Sequence, residues 1–422
     1  MKTLFDVHEE IGTLYFVGAR GDIMSKKDIT KEELHAVVEK YKDVMCEHRI
    51  WLHRHPEVSG EEKASAAYIA KILREMGLSV KENIGGYGVS AVIEGTGEGR
   101  CLGLRADFDA LPVKECTGLP FSSEIPGVSH VCGHDAHAAM LLGVAYALCE
   151  LREYFRGKVK LIFQPSEENA AQSGAKKMIA DGVLENPTVD AVFAQHVWPQ
   201  YKVGQIAIRN GAMMAASDRF FITIKGKGSH GSAPENGIDA IAISAQVIST
   251  LQTIVSRNIG PLDSAVVSIG NIHGGGAYNV IANEVKMEGT CRNLNAAIRD
   301  QMANRIESIV KGVSEAMGGS YDFTYLRCYS PTVNDPDLCD LMCNVGVHTV
   351  GEKNLIVPEK SALGGEDFSF YCERLPSVFF WLGCRGENQP FYPIHNGAFY
   401  PHEDSLPFGM EIMLAAALAY LK

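Results

Sequence analysis

The chain comprises 422 residues, of which 46% are hydrophobic and 21% are charged, and it carries a formal net charge of −12 at pH 7. This length exceeds that of one ordinary hydrophobic core and predicts two or three domains, whereas the acidic balance argues against a nucleic-acid partner, which requires a basic face. No apolar run reaches the roughly 18–20 residues of a membrane span. The 11 cysteines follow no repeating frame, and the chain shows no recognisable secretion signal. We therefore expect the cysteines to be reduced thiols of a cytoplasmic protein.

The first predicted helix follows an N-terminal arm, residues 1–30, in which no periodicity is evident. The stretch "SGEEKASAAYIAKILREMG" is predicted to be helical, because Ser59 and Glu62 have the spacing of a capping box. Apolar residues then recur at helical intervals from Ile69 onwards, and Gly77 is expected to end the helix.

Four short apolar runs come next: "VSAVIE", "CLGLR", "VKLIFQP" and "AVFAQHVW". They alternate with helical stretches at about residues 135–155 and 171–181, which predicts a mostly parallel α/β sheet with helices on both faces. Ligands bind such sheets at the carboxyl ends of the strands. Polar clusters follow these strands here, in "ADFDALP", in "SEEN" and at His196, so we expect the functional site along that edge.

The pattern changes near residue 215. The predicted strands "DRFFITIKG", "SAVVSIGNI", "EVKMEGTCRN" and "YDFTYLR" and the helices "IDAIAISAQVISTLQTIVS" and 296–317 follow the β-α-β-β-α-β order of a ferredoxin-like unit. After residue 328 the α/β alternation resumes, with "SVFFWLGC" as a strand and "GMEIMLAAALAYL" as the closing helix. We therefore predict a discontinuous catalytic domain, residues 31–212 and 326–422, interrupted by a smaller α+β domain at residues 213–325.

Residues 130–140, "HVCGHDAHAAM", contain several side chains that can bind metal ions. Cys132 and His134 flank a glycine, so both can turn toward one point from an extended loop. A Cys-x-His pair alone is a weak signal, because 14 histidines make chance clusters common. His130 and His137 could equally be surface or helix-packing residues, so the assignment of a metal site depends on the other loops.

Three further stretches supply compatible ligands. Glu167 and Glu168 in "QPSEEN" follow a predicted buried strand, where one carboxylate can bind metal while its neighbour holds a water molecule. His196 interrupts an apolar strand, and His395 lies in "PIHNGAFYPHED"; each alone resembles an ordinary core or loop residue. Together with Cys132 they provide the S, N and O donors that a two-metal site needs. Such donors suit zinc, manganese or cobalt without choosing among them.

With these stretches identified, the chain resembles the di-metal aminoacylase and carboxypeptidase family of metallopeptidases, in particular the branch of hippurate hydrolases, N-acyl-amino-acid amidohydrolases and plant auxin-conjugate hydrolases. The matching stretches are "HRHPEVSGEE", "LRADFDALPV", "HVCGHDAHAAMLLG", "FQPSEEN", "GKGSHGSAPENGIDAI", "YNVIANEVKMEGTCR" and "GGEDFSFYCERLP". They extend from about residue 48 to the last helix, and as an ordered set they are highly specific. The resemblance implies that the inserted ferredoxin-like domain mediates dimerisation and acts as a lid.

The resemblance also implies a ligand set for two divalent metal ions per chain. Cys132 would bridge the ions as a thiolate, where other branches use aspartate, and His134, Glu168, His196 and His395 would be the terminal ligands. The ions would be Zn²⁺ or Mn²⁺, with Co²⁺ or Ni²⁺ as alternatives.

The same resemblance assigns the proton chemistry to carboxylates. Glu167 would be the general base and acid, and Asp109 would orient a metal ligand from behind. Other branches place a metal-binding histidine at the position of Asp107, so the division of roles between Asp107 and Asp109 is left open. Loop capping would explain either carboxylate.

The inserted domain would contribute the groups that bind substrate. His230 would reach a neighbouring active site and stabilise the developing oxyanion, while Asn279 and Arg292 would bind the α-carboxylate, a group that arginine can hold with two hydrogen bonds. These roles imply a homodimer or a higher homo-oligomer.

The function implied is hydrolysis of the amide bond of N-acyl amino acids or small peptides, which releases a carboxylic acid and a free amino acid. A dipeptidase or carboxypeptidase of the same fold is the nearest alternative. A thiol hydrolase using Cys132 would leave the two glutamates of "SEEN" and the distant histidines unexplained. A catalytically decayed binding protein is disfavoured, because the expected base and every expected ligand are present.

Overall fold

The structure is a computed structural model that describes residues 29–422. Nearly all of the arm predicted at residues 1–30 therefore lies outside the described residues. Within residues 29–422, no helix combines the length and the apolar character that crossing a bilayer requires.

The described chain alternates helices and strands through most of its length. The helices are α1 (Lys31–Arg54), α2 (Lys63–Glu75), α3 (His134–Glu150), α4 (Gly174–Ala180), α5 (Ala240–Thr253), α6 (Ala296–Ala316), α7 (Pro336–Val350), α8 (Ser369–Cys372) and α9 (Ser405–Tyr420). The strands are β1 (Val80–Ile84), β2 (Gly88–Glu94), β3 (Cys101–Asp107), β4 (Lys158–Gln164), β5 (Ala191–Lys202), β6 (Ile206–Ala207), β7 (Gly211–Met214), β8 (Ala216–Lys225), β9 (Ala265–Gly274), β10 (Glu284–Asn293), β11 (Ser320–Tyr329), β12 (Thr332–Asn334), β13 (Leu355–Ile356) and β14 (Ser377–Arg385).

The larger sheet confirms the predicted α/β architecture. It has eight strands in the order β1-β2-β4-β3-β5-β14-β6-β13, and its central strands β4, β3, β5 and β14 run parallel. All seven residues of β3 are buried, as expected of a parallel strand covered on both faces. Helices α1, α3 and α9 pack together in one core, whereas α4 and α8 contribute to a second core that includes other residues of the same sheet.

Helix α1 was not among the predicted elements, although its sequence carries a start signal. Thr30 caps the helix by accepting a hydrogen bond from the Glu33 N–H at 3.1 Å, and the Glu33 side chain accepts one from the Thr30 N–H at 2.9 Å. This is the reciprocal capping box that "TKEE" encodes.

The capping box predicted for α2 was wrong. Two N–H groups in its first turn donate instead to the carboxylate of Glu57, at 3.0 and 2.7 Å. Ser59 Oγ donates to Asp109 Oδ2 at 2.7 Å, and buried Glu62 accepts from both the N–H and the hydroxyl of Ser166. Both side chains therefore bond to residues that are distant in sequence and do not form the local cap that their spacing suggested.

The smaller sheet confirms the predicted β-α-β-β-α-β unit. Its four strands are all antiparallel in the order β11-β8-β10-β9. Helices α5 and α6 pack on one face of the sheet, over residues such as Phe220, Ile222 and Met287. The alternate residues of β8, such as Arg219 and Phe221, lie on the opposite face and are exposed or half-buried.

Candidate active site

The residues predicted to bind metal ions or to move protons, other than His230, converge at the carboxyl ends of the central parallel strands. β3 ends at Asp107, the "SEEN" loop follows β4, and His196 lies within β5. His134 is the first residue of α3, and Gly133 before it has φ +89°. A Cβ at Gly133 would lie 2.5 Å from a methyl group of Val197, so only glycine lets the loop approach β5 this closely.

Cys132, His134 and His196 form one buried group of potential metal ligands. Their ligand atoms lie within 4.8 Å of one another, and Cys132 Sγ is 3.4 Å from His196 Nε2. Nε2 of His134 is buried and has no hydrogen-bond partner. An orphaned buried nitrogen requires an explanation, and a metal ion supplies one.

Backbone carbonyls set the tautomers of both imidazoles. His134 Nδ1 lies 3.0 Å from the carbonyl oxygen of Asp109, and His196 Nδ1 lies 2.7 Å from that of Val197. Because a carbonyl oxygen can only accept, each Nδ1 carries a proton, so in the neutral form of each ring it is Nε2 that has the lone pair. Both rings are therefore held in the form that binds a metal through Nε2.

A second group of ligands shares Cys132 with the first. Cys132, Glu168 and His395 have ligand atoms within 4.8 Å of one another, and His395 Nε2 is 3.0 Å from Glu168 Oε1. His395 adopts φ +67°, an uncommon conformation for a residue other than glycine that turns this loop at the site. The structure thus brings all five predicted ligands together around a single thiol, as a bridging ligand requires.

Asp107 and His137 lie next to His134 and form a third group of potential ligands, but they also bond to each other and to neighbouring groups. His137 Nδ1 lies 2.5 Å from Asp107 Oδ1, and its Nε2 accepts a hydrogen bond from the Val197 N–H at 2.9 Å. Asp107 Oδ2 also accepts from Arg105 at 2.6 Å. Since both ring nitrogens of His137 are used, the geometry makes it a support for β5 rather than a ligand.

His130, the other histidine of the loop, is buried rather than on the surface. Neither of its ring nitrogens has a hydrogen-bond partner. Burial lowers the pKa of His130 to about 4, so the ring is neutral at physiological pH.

Asp109 connects three parts of the site. Its Oδ1 lies 3.1 Å from His134 Nδ1, and its Oδ2 accepts from the Ser59 hydroxyl at 2.7 Å and from the Glu168 N–H at 3.0 Å. The carboxylate therefore orients one predicted ligand directly and another through its backbone. Although burial opposes ionisation, the hydrogen bond from His134 and the charge of that ring lower the pKa of Asp109.

Sequence reasoning missed a buried ionic network behind the site. The guanidinium of Arg105 donates to Asp107 Oδ2 at 2.6 Å, Glu366 Oε1 at 3.1 Å, Asp367 Oδ1 at 2.8 Å and Gln164 Oε1 at 2.9 Å. Burial raises the pKa of Glu366 to about 8 and that of Asp367 to about 6. The adjacent acids ahead of an apolar run in "GGEDFSF" were the available signal.

Glu167 lies at the front of this network and is 6% exposed. Its Oε1 accepts a hydrogen bond from the Asp367 N–H at 3.3 Å, and its backbone carbonyl accepts one from the Tyr329 hydroxyl. Burial, followed by the charges of nearby carboxylates such as Glu366 and Glu168, raises the pKa of Glu167 well above its usual range. A positioned carboxyl group with high proton affinity can accept and return a proton.

The charge balance of the site favours a bound cation. Burial opposes protonation of His134, but the carboxylates of Asp107 and Asp109 raise its pKa to about 10. The surrounding carboxylates therefore stabilise positive charge at this ring. A bound divalent ion would provide the positive charge in place of the second ring proton, so that the ring itself would be neutral. Sulfur, imidazole and carboxylate donors fit zinc, manganese and cobalt alike.

The substrate-binding residues predicted in the smaller sheet do not form one group within a chain. His230 and Asn279 lie together, because the Gly231 N–H donates to the Asn279 carbonyl at 2.7 Å, and both side chains are exposed. Arg292 lies at the opposite end of β10, eight residues from Glu284, which corresponds to about 26 Å of extended strand. Asn279 and Arg292 of a single chain therefore cannot both bind the same α-carboxylate, and His230 lies with Asn279, away from Arg292.

Residues 103–419 match peptidase family M20/M25/M40. An N-acyl-L-amino acid amidohydrolase from Geobacillus stearothermophilus is 42% identical over 306 residues, which cover 72% of this chain and 82% of that protein. Thermostable carboxypeptidase 2 from Saccharolobus solfataricus is 37% identical over 394 residues, 93% of this chain and 98% of its own length. Among solved structures, a dinuclear metal-binding peptidase of the M20 family from Bacillus subtilis has a TM-score of 0.79 and 32% identity, covering 91% of this chain and 99% of that one.

Proposed function

The chain belongs to peptidase family M20/M25/M40, whose model matches three quarters of its length, and we propose that it hydrolyses the amide bond of N-acyl amino acids with two divalent metal ions. One observation carries this proposal. Two buried imidazoles, His134 and His196, are each held in the tautomer that presents Nε2 to the Cys132 thiol, directly beside the paired carboxylates Glu167 and Glu168. The amidohydrolase relative supports the substrate class.

Cys132, His134, Glu168, His196 and His395 would hold the metal ions. When bound, the ions would polarise the scissile carbonyl and acidify a water molecule. The metal could be zinc or manganese, with cobalt or nickel as alternatives.

Glu167 moves the proton in this mechanism. Its carboxylate accepts a proton from the attacking water and later returns it to the leaving amine, so no covalent acyl-enzyme forms. The Asp367 N–H and the Tyr329 hydroxyl fix the carboxylate and the backbone of Glu167. Asp109 keeps His134 and Glu168 in position during turnover.

His230 stabilises the developing oxyanion. Its Nδ1 accepts a hydrogen bond from the Ser232 N–H at 3.2 Å, and a backbone N–H can only donate. The ring proton therefore resides on Nε2, which makes that exposed nitrogen a hydrogen-bond donor suited to an oxyanion.

A second copy of the chain supplies His230 and Asn279 to each site. These residues lie at the far end of β10 from Arg292, so a homodimer or higher oligomer brings the partner's pair to the α-carboxylate and the scissile carbonyl. The mobile unit in this arrangement is the domain of residues 213–325, inserted between residues 31–212 and 326–422 of the catalytic domain. We assign the protein to the cytoplasm, where its 11 cysteines, all of them free thiols, would stay reduced.

The test combines metal content with hydrolysis of a panel of N-acyl amino acids before and after chelation. We expect about two metal ions per chain, chelator-sensitive release of free amino acid, and recovery with zinc, manganese or cobalt. A thiol hydrolase would keep its activity in EDTA. Absence of bound metal, with no activity restored by these ions, would contradict the proposal.

A carboxypeptidase is the second candidate, because a carboxypeptidase relative covers 93% of this chain. Matched substrates with the same C-terminal residue separate the two functions. An N-acyl amino acid should be cleaved faster than the corresponding dipeptide with a free amine, and the reverse preference would favour the carboxypeptidase.

A further inference from the structure

Arg219 is a cation of the smaller sheet that has no assigned role. It lies on β8, on the face opposite α5 and α6, and its side chain is exposed. Among residues 29–422, no carboxylate forms an ion pair with Arg219, whereas Arg299 and Arg327 are each paired. An exposed guanidinium without a carboxylate partner can bind an anionic ligand.

The surroundings of Arg219 keep its guanidinium in place without neutralising it. The guanidinium lies 5.3 Å from the centre of the Phe221 ring. The residues paired with Arg219 across the sheet are uncharged: Thr290 on β10 and Leu326 on β11. Glu288, on a diagonal position of β10, forms no ion pair with it within the described chain. The aromatic contact thus orients the cation and leaves its N–H groups available.

Arg219 also lines a cavity that adjoins the proposed metal site. The cavity has a volume of about 390 Å³ and is bounded by Glu168 and Asn169 of the "SEEN" loop, by Ser59, and by Leu111 and neighbouring residues. This volume is within the range of small-molecule sites. Arg219 is the cationic residue of this lining.

Arg292 is the nearest cation to Arg219 on the same face. Arg292 pairs with Ser217 and Arg219 pairs with Thr290, so the two arginines are diagonal neighbours on adjacent strands, with Cα atoms about 7–8 Å apart. Arg292 is half-buried and donates to Thr290 and to the Cys291 carbonyl. Ser217 packs against Gly365 of the "GGED" segment, so the part of β8 that pairs with Arg292 lies next to the segment that carries Glu366 and Asp367.

We propose that Arg219 binds a second carboxylate on the amino-acid half of the substrate, so that the preferred substrates are N-acyl derivatives of acidic amino acids. This inference rests on the proposed function, in which Arg292 binds the α-carboxylate. Two diagonal guanidiniums fit two carboxylates carried by one amino acid. The chain as a whole carries a charge of −12, so a dianionic substrate depends on local cations to enter the cleft.

The test compares N-acetyl-L-glutamate with its neutral isostere N-acetyl-L-glutamine. Wild-type enzyme should favour the glutamate derivative in kcat/KM. Arg219→Met keeps the aliphatic contact with Phe221 and removes the charge, so the preference should fall by about 10- to 100-fold, the effect of losing one hydrogen bond to a charged group. Turnover of the glutamine derivative should fall less than that of the glutamate derivative, because its neutral amide loses only an uncharged hydrogen bond, and Arg219→Lys should retain part of the preference.

Lys225→Met is the matched control, because it removes a cation from the same strand and face, and this lysine pairs with Asp322 away from the cavity. It should leave the preference unchanged. A wild-type enzyme without the preference, or an unchanged preference in Arg219→Met, would overturn the inference. The inference would also be overturned if Arg219→Met slowed hydrolysis of N-succinyl-L-alanine instead, because Arg219 would then bind a carboxylate on the acyl half of the substrate.

Binding measurements separate this inference from the proposed function. Calorimetric titration of the metal-loaded Glu167→Gln variant with the same two acetyl amino acids needs no turnover. The inference is supported if this variant binds the glutamate derivative more tightly than the glutamine derivative and if the additional Arg219→Met substitution abolishes that difference. This holds even if none of the N-acyl amino acids tested is hydrolysed. Equal binding of both ligands would refute it, even if the hydrolase activity is established.

Discussion

Replacing Asp109 with asparagine tests whether one carboxylate orients both the ring of His134 and the backbone of Glu168. In the wild type, Oδ1 faces His134 Nδ1 at 3.1 Å, while Oδ2 accepts from the Glu168 N–H at 3.0 Å and from Ser59 Oγ at 2.7 Å. Asparagine keeps the shape of the side chain, but one of the two oxygens becomes an NH₂ group that can only donate.

Either orientation of the asparagine amide places two donors against each other. An NH₂ group in the Oδ1 position opposes the N–H of His134, and one in the Oδ2 position opposes the N–H of Glu168. Loss of one such hydrogen bond, with a buried donor left unsatisfied, costs about 1–3 kcal/mol. Because each affected residue is a proposed ligand, we expect metal binding to weaken by about 10- to 100-fold.

Competition with a chromophoric chelator measures this affinity, and activity at saturating metal shows whether the loaded site still works. Asp181→Asn is the matched control, because Asp181 also accepts a backbone hydrogen bond, from Gly85 at 2.7 Å, but is not one of the site residues. The control should bind metal as the wild type does. A folded Asp109→Asn variant with wild-type metal affinity would refute the reasoning.

Two further predictions concern the base and the pH dependence of stability. Glu167→Gln should retain both metal ions and lower kcat by about 10²- to 10⁴-fold, the usual contribution of general acid–base catalysis; near-normal turnover by the metal-loaded variant would exclude Glu167 as the base. Burial opposes protonation of His53, but contacts with Asp135 and Glu115 raise its pKa from 6.5 to about 9. The charged ring therefore stabilises the fold fully below pH 6.5, and this contribution of about 3 kcal/mol is lost as the pH rises through 9. The urea midpoint of unfolding should decrease more between pH 6 and pH 9.5 in the wild type than in His53→Gln. Equal decreases in the two proteins would contradict a charged His53 that stabilises the fold.

Local sequence patterns were sufficient for much of the fold. Continuous apolar runs predicted the buried strands β2 to β5, because strands covered on both faces of the sheet need apolar side chains on each face. The change to a β-α-β-β-α-β order of elements near residue 215 predicted the smaller sheet. The capping box at α2 failed, since Ser59 and Glu62 found partners in Asp109 and Ser166, which are distant in sequence.

For the candidate site, the sequence by itself determined which donors are available: one cysteine, three histidines and two glutamates in four separate segments. Their convergence around Cys132, and the tautomers of His134 and His196, depend on hydrogen bonds between distant segments. The network of Arg105 with Glu366 and Asp367 likewise depends on the tertiary structure, because these acids lie 261 and 262 residues after Arg105 in the sequence. Sequence spacing encodes periodicity within an element, whereas only the packed fold decides which buried charges meet and which lone pairs remain free.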